Sequence, residues 1–144
     1  MDAARRFGIA WVVLSVCLAC HVTDEALTDF LSVYNPTVLA IRSRIPFSPL
    51  PTFTFDTWLG GLISEVVALL ALSAFAFRGA RWMVSFAYFY GVMMFMNGMG
   101  HILSSVYLWR WMPGVYSSPL LLGASVYLLI SARRLRAAFV QPAQ

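Results

Sequence analysis

Lysine is absent from this 144-residue chain, and charged residues of any kind make up only 11% of it. Set against 60% hydrophobic residues and a mean hydropathy of +0.76, so small a charged fraction excludes an ordinary soluble domain and points to an integral membrane protein. Cysteine is nearly as scarce. Cys17 and Cys20 both lie inside an apolar run, where a thiol behaves as a small buried hydrophobe and says little about the redox compartment. The ten basic residues are all arginine and stand outside the apolar runs. The net charge of +4 therefore reflects orientation in a bilayer, and a polynucleotide-binding stripe is missing. Internal repeats and low-complexity segments are also missing, and the length allows one transmembrane domain, residues 1–144.

What the chain does have is apolar length. Runs cover Phe7–His21, Trp58–Phe77, Trp82–Leu108 and Val115–Ala132, and spanning a bilayer takes roughly 20 residues of helix. With the first run carried through its polar turn, helices are expected over about 7–31, 58–77, 82–108 and 115–132. The expected fold class is all-α: a polytopic membrane four-helix bundle with a proline-rich external loop between helices 1 and 2. That loop, Tyr34–Asp56, carries Pro36, Pro46, Pro49 and Pro51, enough to stop regular helix apart from a short interfacial turn over Thr37–Arg44. A connection of this size is typical of a lid or binding loop. Pro113-Gly114 separates the third helix from the fourth. Trp58, Trp82, Trp109 and Trp111 fit interfacial belts, and seven arginines against three place both termini in the cytoplasm, of a bacterial inner membrane, with the loop outside.

Against this background four ionisable groups stand out: His21, Glu25, Glu65 and His101 sit in or at the edges of the apolar helices. Ionisable groups at membrane depth are costly and mark function by default. With the termini inside, His21 lies roughly 9 Å below the outer boundary, Glu65 roughly 11 Å and Asn97 roughly 10 Å, at the helical rise per residue. Helical spacing groups His21 with Asp24, Glu25 and Thr28, and Asn97 with His101, Ser104 and Ser105. Gly61, one turn from Glu65 on the same side, would allow close helix approach beside it.

Two imidazoles and two or three carboxylates suit a divalent metal such as zinc, iron or manganese, so His21, Glu25, Glu65 and His101 form a candidate ligand set with room for water or substrate. The same groups also suit metal-free catalysis, with Glu65 and Glu25 as acid/base groups and Asn97 donating to a developing oxyanion. Each residue has a blander reading. A lone histidine on an apolar face is often a hydrogen-bonded packing residue, and Asp24 and Glu25 suit a solvated helix end. Glu65 resists this, because no arginine lies within a turn and it needs a proton, a metal or a partner from another helix. Asp29 and Asp56 read as loop or cap residues. Met93, Met94, Met96 and Met99 read as packing.

Two short motifs compete. Cys17-Leu18-Ala19-Cys20-His21 satisfies the C-x-x-C-H pattern of covalent haem attachment, but an apolar helix gives the attachment machinery poor access. Arg5-Arg6 followed by an apolar run with small residues near Ala19 is similar to a signal peptide, whose cleavage would remove the cysteines.

The element His21-Val22-Thr23-Asp24-Glu25 resembles the HXXEE-domain family of small integral membrane proteins, named for a histidine and paired acids near the end of the first helix. The resemblance extends through Glu65, Asn97-Gly98-Met99-Gly100-His101 and Pro113-Gly114. Asp24 departs from it by one methylene. The resemblance implies an active site without naming a substrate. A second resemblance, of arrangement alone, is to the sterol-isomerase-like EXPERA membrane proteins. Their His and Glu one turn apart, a second Glu and a later Asn look like His21, Glu25, Glu65 and Asn97, and imply metal-free proton shuffling on a lipid.

The function expected is that of a membrane enzyme acting on a membrane lipid or lipophilic small molecule, by metal-dependent hydrolysis or oxidation. The alternatives are a metal-free lipid isomerase, a small transporter or proton relay, and a haem-binding redox protein. Nucleic acid is not an expected partner.

Overall fold

The computed structural model of the chain describes residues 2–140. Five helices make up the fold: α1 (Ala3–Leu27), α2 (Phe30–Arg44), α3 (Phe55–Phe77), α4 (Arg81–Tyr107) and α5 (Ser118–Ala138). No strand occurs among the described residues. α1 is the central element, packed along both α3 and α5, while α4 packs along α5 and α2 touches α1 only lightly. At the left-handed Gly79 between α3 and α4, an added Cβ would meet Ala4 at 3.1 Å and Leu135 at 3.7 Å. This turn, the start of α1 and the end of α5 therefore share one end of the bundle. The opposite end gathers the close of α1, α2, the close of α4 and the start of α5.

The reason α1 is central is written in its periodicity. Phe7, Trp11, Leu14 and Leu18 are all buried and recur at the three- and four-residue spacing of one helical face. His21, Val22 and Glu25 continue that face and are buried too. The stripe that builds the core therefore carries a histidine and a carboxylate into the interior at its outer end. Trp11 ties three helices together: its Nε1 donates to the Leu69 carbonyl of α3 at 2.7 Å, and its ring lies 5.6 Å from Phe86 and 6.1 Å from Tyr90 of α4.

The expected Tyr34–Asp56 loop, regular only in a short turn over Thr37–Arg44, is corrected: α2 runs through its whole first half, from Phe30 to Arg44, and contains Pro36. The expected first helix, about 7–31, is two elements. α1 stops at Leu27, and Asp29 turns the chain with a left-handed φ of 56°, a conformation aspartate tolerates better than most residues. A proline inside a helix removes one ladder hydrogen bond, and side chains on either side of Pro36 hold α2 instead. Asn35 makes a two-way amide pair with Phe53, accepting from its N–H at 3.0 Å and donating to its carbonyl at 2.9 Å. Tyr34 donates to the Pro51 carbonyl at 3.0 Å. The remaining prolines keep residues 45–54 out of regular structure, and that segment is laced back along α2.

Two further expectations change. Trp58 is turned inward, 8% exposed and packed on Phe30 and Phe55, while Trp82, Trp109 and Trp111 face outward. The close approach foreseen at Gly61 lies elsewhere, since a Cβ on Gly61 would meet nothing within 4 Å. At Gly98 it would come 3.2 Å from the Ser118 carbonyl oxygen and 3.3 Å from Leu122, so α4 crosses the first turn of α5 at a distance that favours glycine. By length and composition, α1 and α3 are the two helices apolar enough to cross a membrane.

Candidate metal centre

Three helices deliver the site. His21 and Glu25 come from successive turns of α1, His101 from the last turns of α4, and the Pro113-Gly114 turn and the first residues of α5 close over them. Gly98, three residues before His101, brings α4 against α5 and so sets the histidine opposite that turn. At Gly114, whose φ is +81°, a Cβ would fall 3.0 Å from both the Glu25 Cγ and the His101 ring. The backbone there lies directly on the cluster, in a conformation that favours glycine.

His101 Nε2 stands 3.1 Å from Glu25 Oε1, and His21 Nε2 stands 3.7 Å from the same oxygen. The two imidazoles meet edge to face with centroids 4.9 Å apart. Side-chain exposure is 0% for His21, 7% for Glu25 and 10% for His101. Each of the three offers a ligand atom, and these atoms all lie within 4.8 Å of one another. Ligands at the usual zinc distances sit roughly 3.3 Å apart in a tetrahedron, so the two edges that meet at Glu25 are already near ligation spacing.

The tautomer of His21 follows from the groups behind it. Ser117 N donates to Asp24 Oδ2 at 2.8 Å, and Ser117 Oγ lies 2.7 Å from the same oxygen. An acceptor-only carboxylate that close draws the hydroxyl proton to itself. The Ser117 oxygen is then free to accept from His21 Nδ1, 2.8 Å away. With the proton on Nδ1, His21 presents a lone pair on Nε2, and that buried atom has no hydrogen-bond partner. A buried, unpartnered imidazole nitrogen aimed between a carboxylate and a second histidine is costly unless something binds there. A ligating histidine whose other nitrogen is held through a carboxylate-anchored chain is the usual outer arrangement of a metal site. The group can therefore hold a metal ion.

Residues 11–128 match a family model described as "protein of unknown function with HXXEE motif". The chain belongs to the HXXEE family. No curated protein and no solved structure matches the chain significantly. Within the HXXEE motif as this chain writes it, the letters have different tasks: His21 and Glu25 face the cluster, while Asp24 turns to α5 and anchors Ser117. Asp24, one methylene shorter than the motif's glutamate, accepts from the backbone N–H of Ser117, the residue that caps α5.

Glu65 is not part of this group. Its Oε1 accepts from the Tyr90 hydroxyl at 2.8 Å, which supplies the partner from another helix that its depth calls for. The Tyr90 pairing, and not a place among the three ligand atoms, is what the fold gives Glu65.

Asn97 lies one turn inward of His101, and the two share the wall of an open cleft of about 420 Å³ between α2 and α4. Phe30 and Tyr34 form the facing wall and Met112 one edge, and the Phe30 ring lies 5.8 Å from that of His101. Cys17 and Cys20 are free thiols, Cys20 exposed, whereas His21 is turned inward to Ser117. Asp24, Ser117 and Gly114 were not among the site residues expected. Ser117-Ser118-Pro119 reads from sequence as a helix start, yet nothing in it indicates that Ser117 will meet a histidine 96 residues away.

Proposed function

We propose that this protein is an integral membrane metallohydrolase that cleaves an ester or amide of a neutral amphiphile at a two-histidine, one-carboxylate centre. The observation that carries it is the unpartnered His21 Nε2, facing Glu25 and His101 beside a cleft large enough for a ligand. Three protein ligands with an open fourth position are the pattern of catalytic rather than structural zinc.

Membrane embedding is supported by the outer faces of the helices. On α4, Phe89, Val92, Met96, Leu103 and Val106 are between 52% and 65% exposed and form one stripe along its length, and on α3 Ile63, Val67 and Leu70 do the same. Continuous apolar stripes on the outside are a liability in water and suit lipid. On this reading α4 and α5 join α1 and α3 as spans, with Asn97 and His101 of α4 turned to the cleft and Ser125 and Ser131 of α5 buried in the bundle. The end that carries the start of α1 and the end of α5 faces the cytoplasm, in keeping with its arginines.

His21, Glu25 and His101 would hold the ion, which would supply Lewis acidity able to activate water near neutral pH. The cleft brings the substrate to His101 from the α2 side, with its chain along Phe30 and Met112. Apart from His101 the lining residues named carry no ionised group, which suits a neutral head better than a phosphate or carboxylate. The Asn97 amide is placed to donate to the substrate carbonyl as charge builds on its oxygen. Water oxygen bonds to the acyl carbon, the bond to the leaving oxygen or nitrogen breaks, and the leaving group takes the proton. This chemistry needs only water, whereas oxidation would require a further electron acceptor. The buried stripe of α1 from Leu18 to Phe7 carries no ionisable group, its one polar side chain, Ser15, being bonded to the Trp11 carbonyl, which favours an enzyme pocket over a transport path.

The His101–Glu25 contact at 3.1 Å also supports a second reading, a metal-free acid/base isomerase. Metal content per chain after chelator-free purification separates the two: near-stoichiometric metal is expected, and a metal-free, active protein would transfer the proposal to the isomerase. Gly100 provides an independent check on the cleft, because it lines the cavity and a Cβ there meets nothing within 4 Å. Gly100→Leu is expected to fill the cleft, keep metal and fold, and raise KM for an amphiphilic ester at least about tenfold, the cost of displacing one or two methylenes from a pocket. Unchanged kinetics would remove the cleft from the reaction path.

A further inference from the structure

We propose that a second cavity, between α4 and α5 at the end carrying the start of α1 and the end of α5, binds the phosphodiester headgroup of an anionic phospholipid. It rests on the membrane-spanning reading above and on nothing in the metal centre. The cavity, about 420 Å³, is lined by Arg81 and Arg136 together with the hydroxyls of Ser85 and Tyr88 and an apolar side that includes Val84 and Phe139. Among the described residues no carboxylate lines it, and no arginine is in a salt bridge. At this end of the bundle Asp2 is the one acidic residue, against Arg5, Arg6, Arg78, Arg81, Arg133, Arg134 and Arg136. Two guanidinium groups thus share a concavity without an internal counter-ion.

Arg81 is held in place for an anion. Its Cζ stands 5.3 Å over the Phe139 ring, a cation–π contact that fixes the side chain while leaving its donors free. A guanidinium fork matches phosphate oxygens in pairs, and the two hydroxyls add neutral donors. Phosphate alone would have no use for the Val84 and Phe139 side, whereas the glycerol and first methylenes of a lipid would cover it. Arg81 opens α4 and Arg136 lies in the last turn of α5, the height at which headgroups meet helix ends. Basic pockets between helices on the cytoplasmic face are suited to such lipids.

The test uses full-length protein in neutral detergent, following the thermal midpoint during titration with phosphatidylglycerol, phosphatidylcholine or sodium phosphate. Wild type is compared with Arg81→Gln/Arg136→Gln and with Arg133→Gln/Arg134→Gln, which removes equal charge outside the cavity. Phosphatidylglycerol is expected to raise the midpoint saturably in wild type and in the second variant, with the first needing about thirtyfold more lipid. Equal weakening in both double variants would reduce the effect to diffuse charge and overturn the site. An equal response to phosphatidylcholine or to sodium phosphate would overturn the headgroup assignment. Should the first variant not fold, Arg81→Lys and Arg136→Lys keep the charge and lose the fork. Weaker lipid response at an unchanged lipid-free midpoint supports the site, and unchanged response rejects it. Failure of the membrane reading is visible separately, as a protein monodisperse without detergent.

Discussion

Glu25→Gln protein is expected to purify without metal, while Glu65→Gln protein purifies fully loaded. Glu25 supplies the oxygen toward which both imidazoles point, at 3.1 and 3.7 Å. Replacing it by an amide removes both the anionic ligand and the charge that makes a divalent ion acceptable in a buried site. Metal content by elemental analysis is expected to fall to background, and the thermal midpoint to fall with it. A ligand that binds only the folded state at roughly a thousandfold above its Kd contributes about 4 kcal/mol. Stripping wild type with a chelator is expected to give the same loss, and to leave Glu25→Gln where it was. Glu65 differs because its partner is the Tyr90 hydroxyl, a donor that an amide oxygen accepts equally well. Glu65→Gln is therefore expected to keep its metal and change stability by no more than about 1 kcal/mol, the worth of one hydrogen bond. Metal retained in Glu25→Gln, or lost equally in both, would end the three-ligand assignment.

Much of this architecture can be read from the apolar periodicity, and what cannot is held by single long-range contacts. The stripe Phe7, Trp11, Leu14, Leu18 announces a buried face on the first helix and carries His21 and Glu25 inward with it, so two of the three ligands follow from spacing alone. His101 follows less directly, since its direction depends on Gly98 meeting the Ser118 carbonyl, a contact no local pattern encodes. Glu65 has its partner, the Tyr90 hydroxyl 25 positions away on α4, through a contact of the same kind that no local pattern encodes. Only the second half of α2 is foreseen, as a turn over Thr37–Arg44, because Pro36 and the weak helix formers Val33, Tyr34, Asn35, Thr37 and Val38 argue locally against a helix, whereas the fold holds that turn through Asn35 and Tyr34 from residues 17 or 18 positions away.

The division of labour inside the HXXEE motif yields the sharpest expectation about the chain. Ser117→Ala removes the acceptor for His21 Nδ1, leaving that N–H unpaired and the imidazole free to rotate or to take the other tautomer, which would place a proton on the ligating nitrogen. Asp24→Ala goes further, because it also releases the N–H of Ser117 and with it the start of α5. Loss of groups in this position lowers metal affinity 10- to 100-fold in comparable sites. Both variants are expected within that range by chelator competition, Asp24→Ala at the weaker-binding end and with a lower thermal midpoint. Asp24→Asn still offers an oxygen to both Ser117 donors, and is expected to bind metal more tightly than Asp24→Ala but less tightly than wild type, because the neutral amide draws the hydroxyl proton less strongly. Asp24→Glu restores the family's residue and its charge, and is expected to stay within a few-fold of wild type as α5 shifts by part of a methylene. A structural role for Asp24 alone would move the midpoint in Asp24→Ala and leave metal affinity in Ser117→Ala untouched. Wild-type affinity in Ser117→Ala would show that His21 is oriented by something other than this chain of hydrogen bonds.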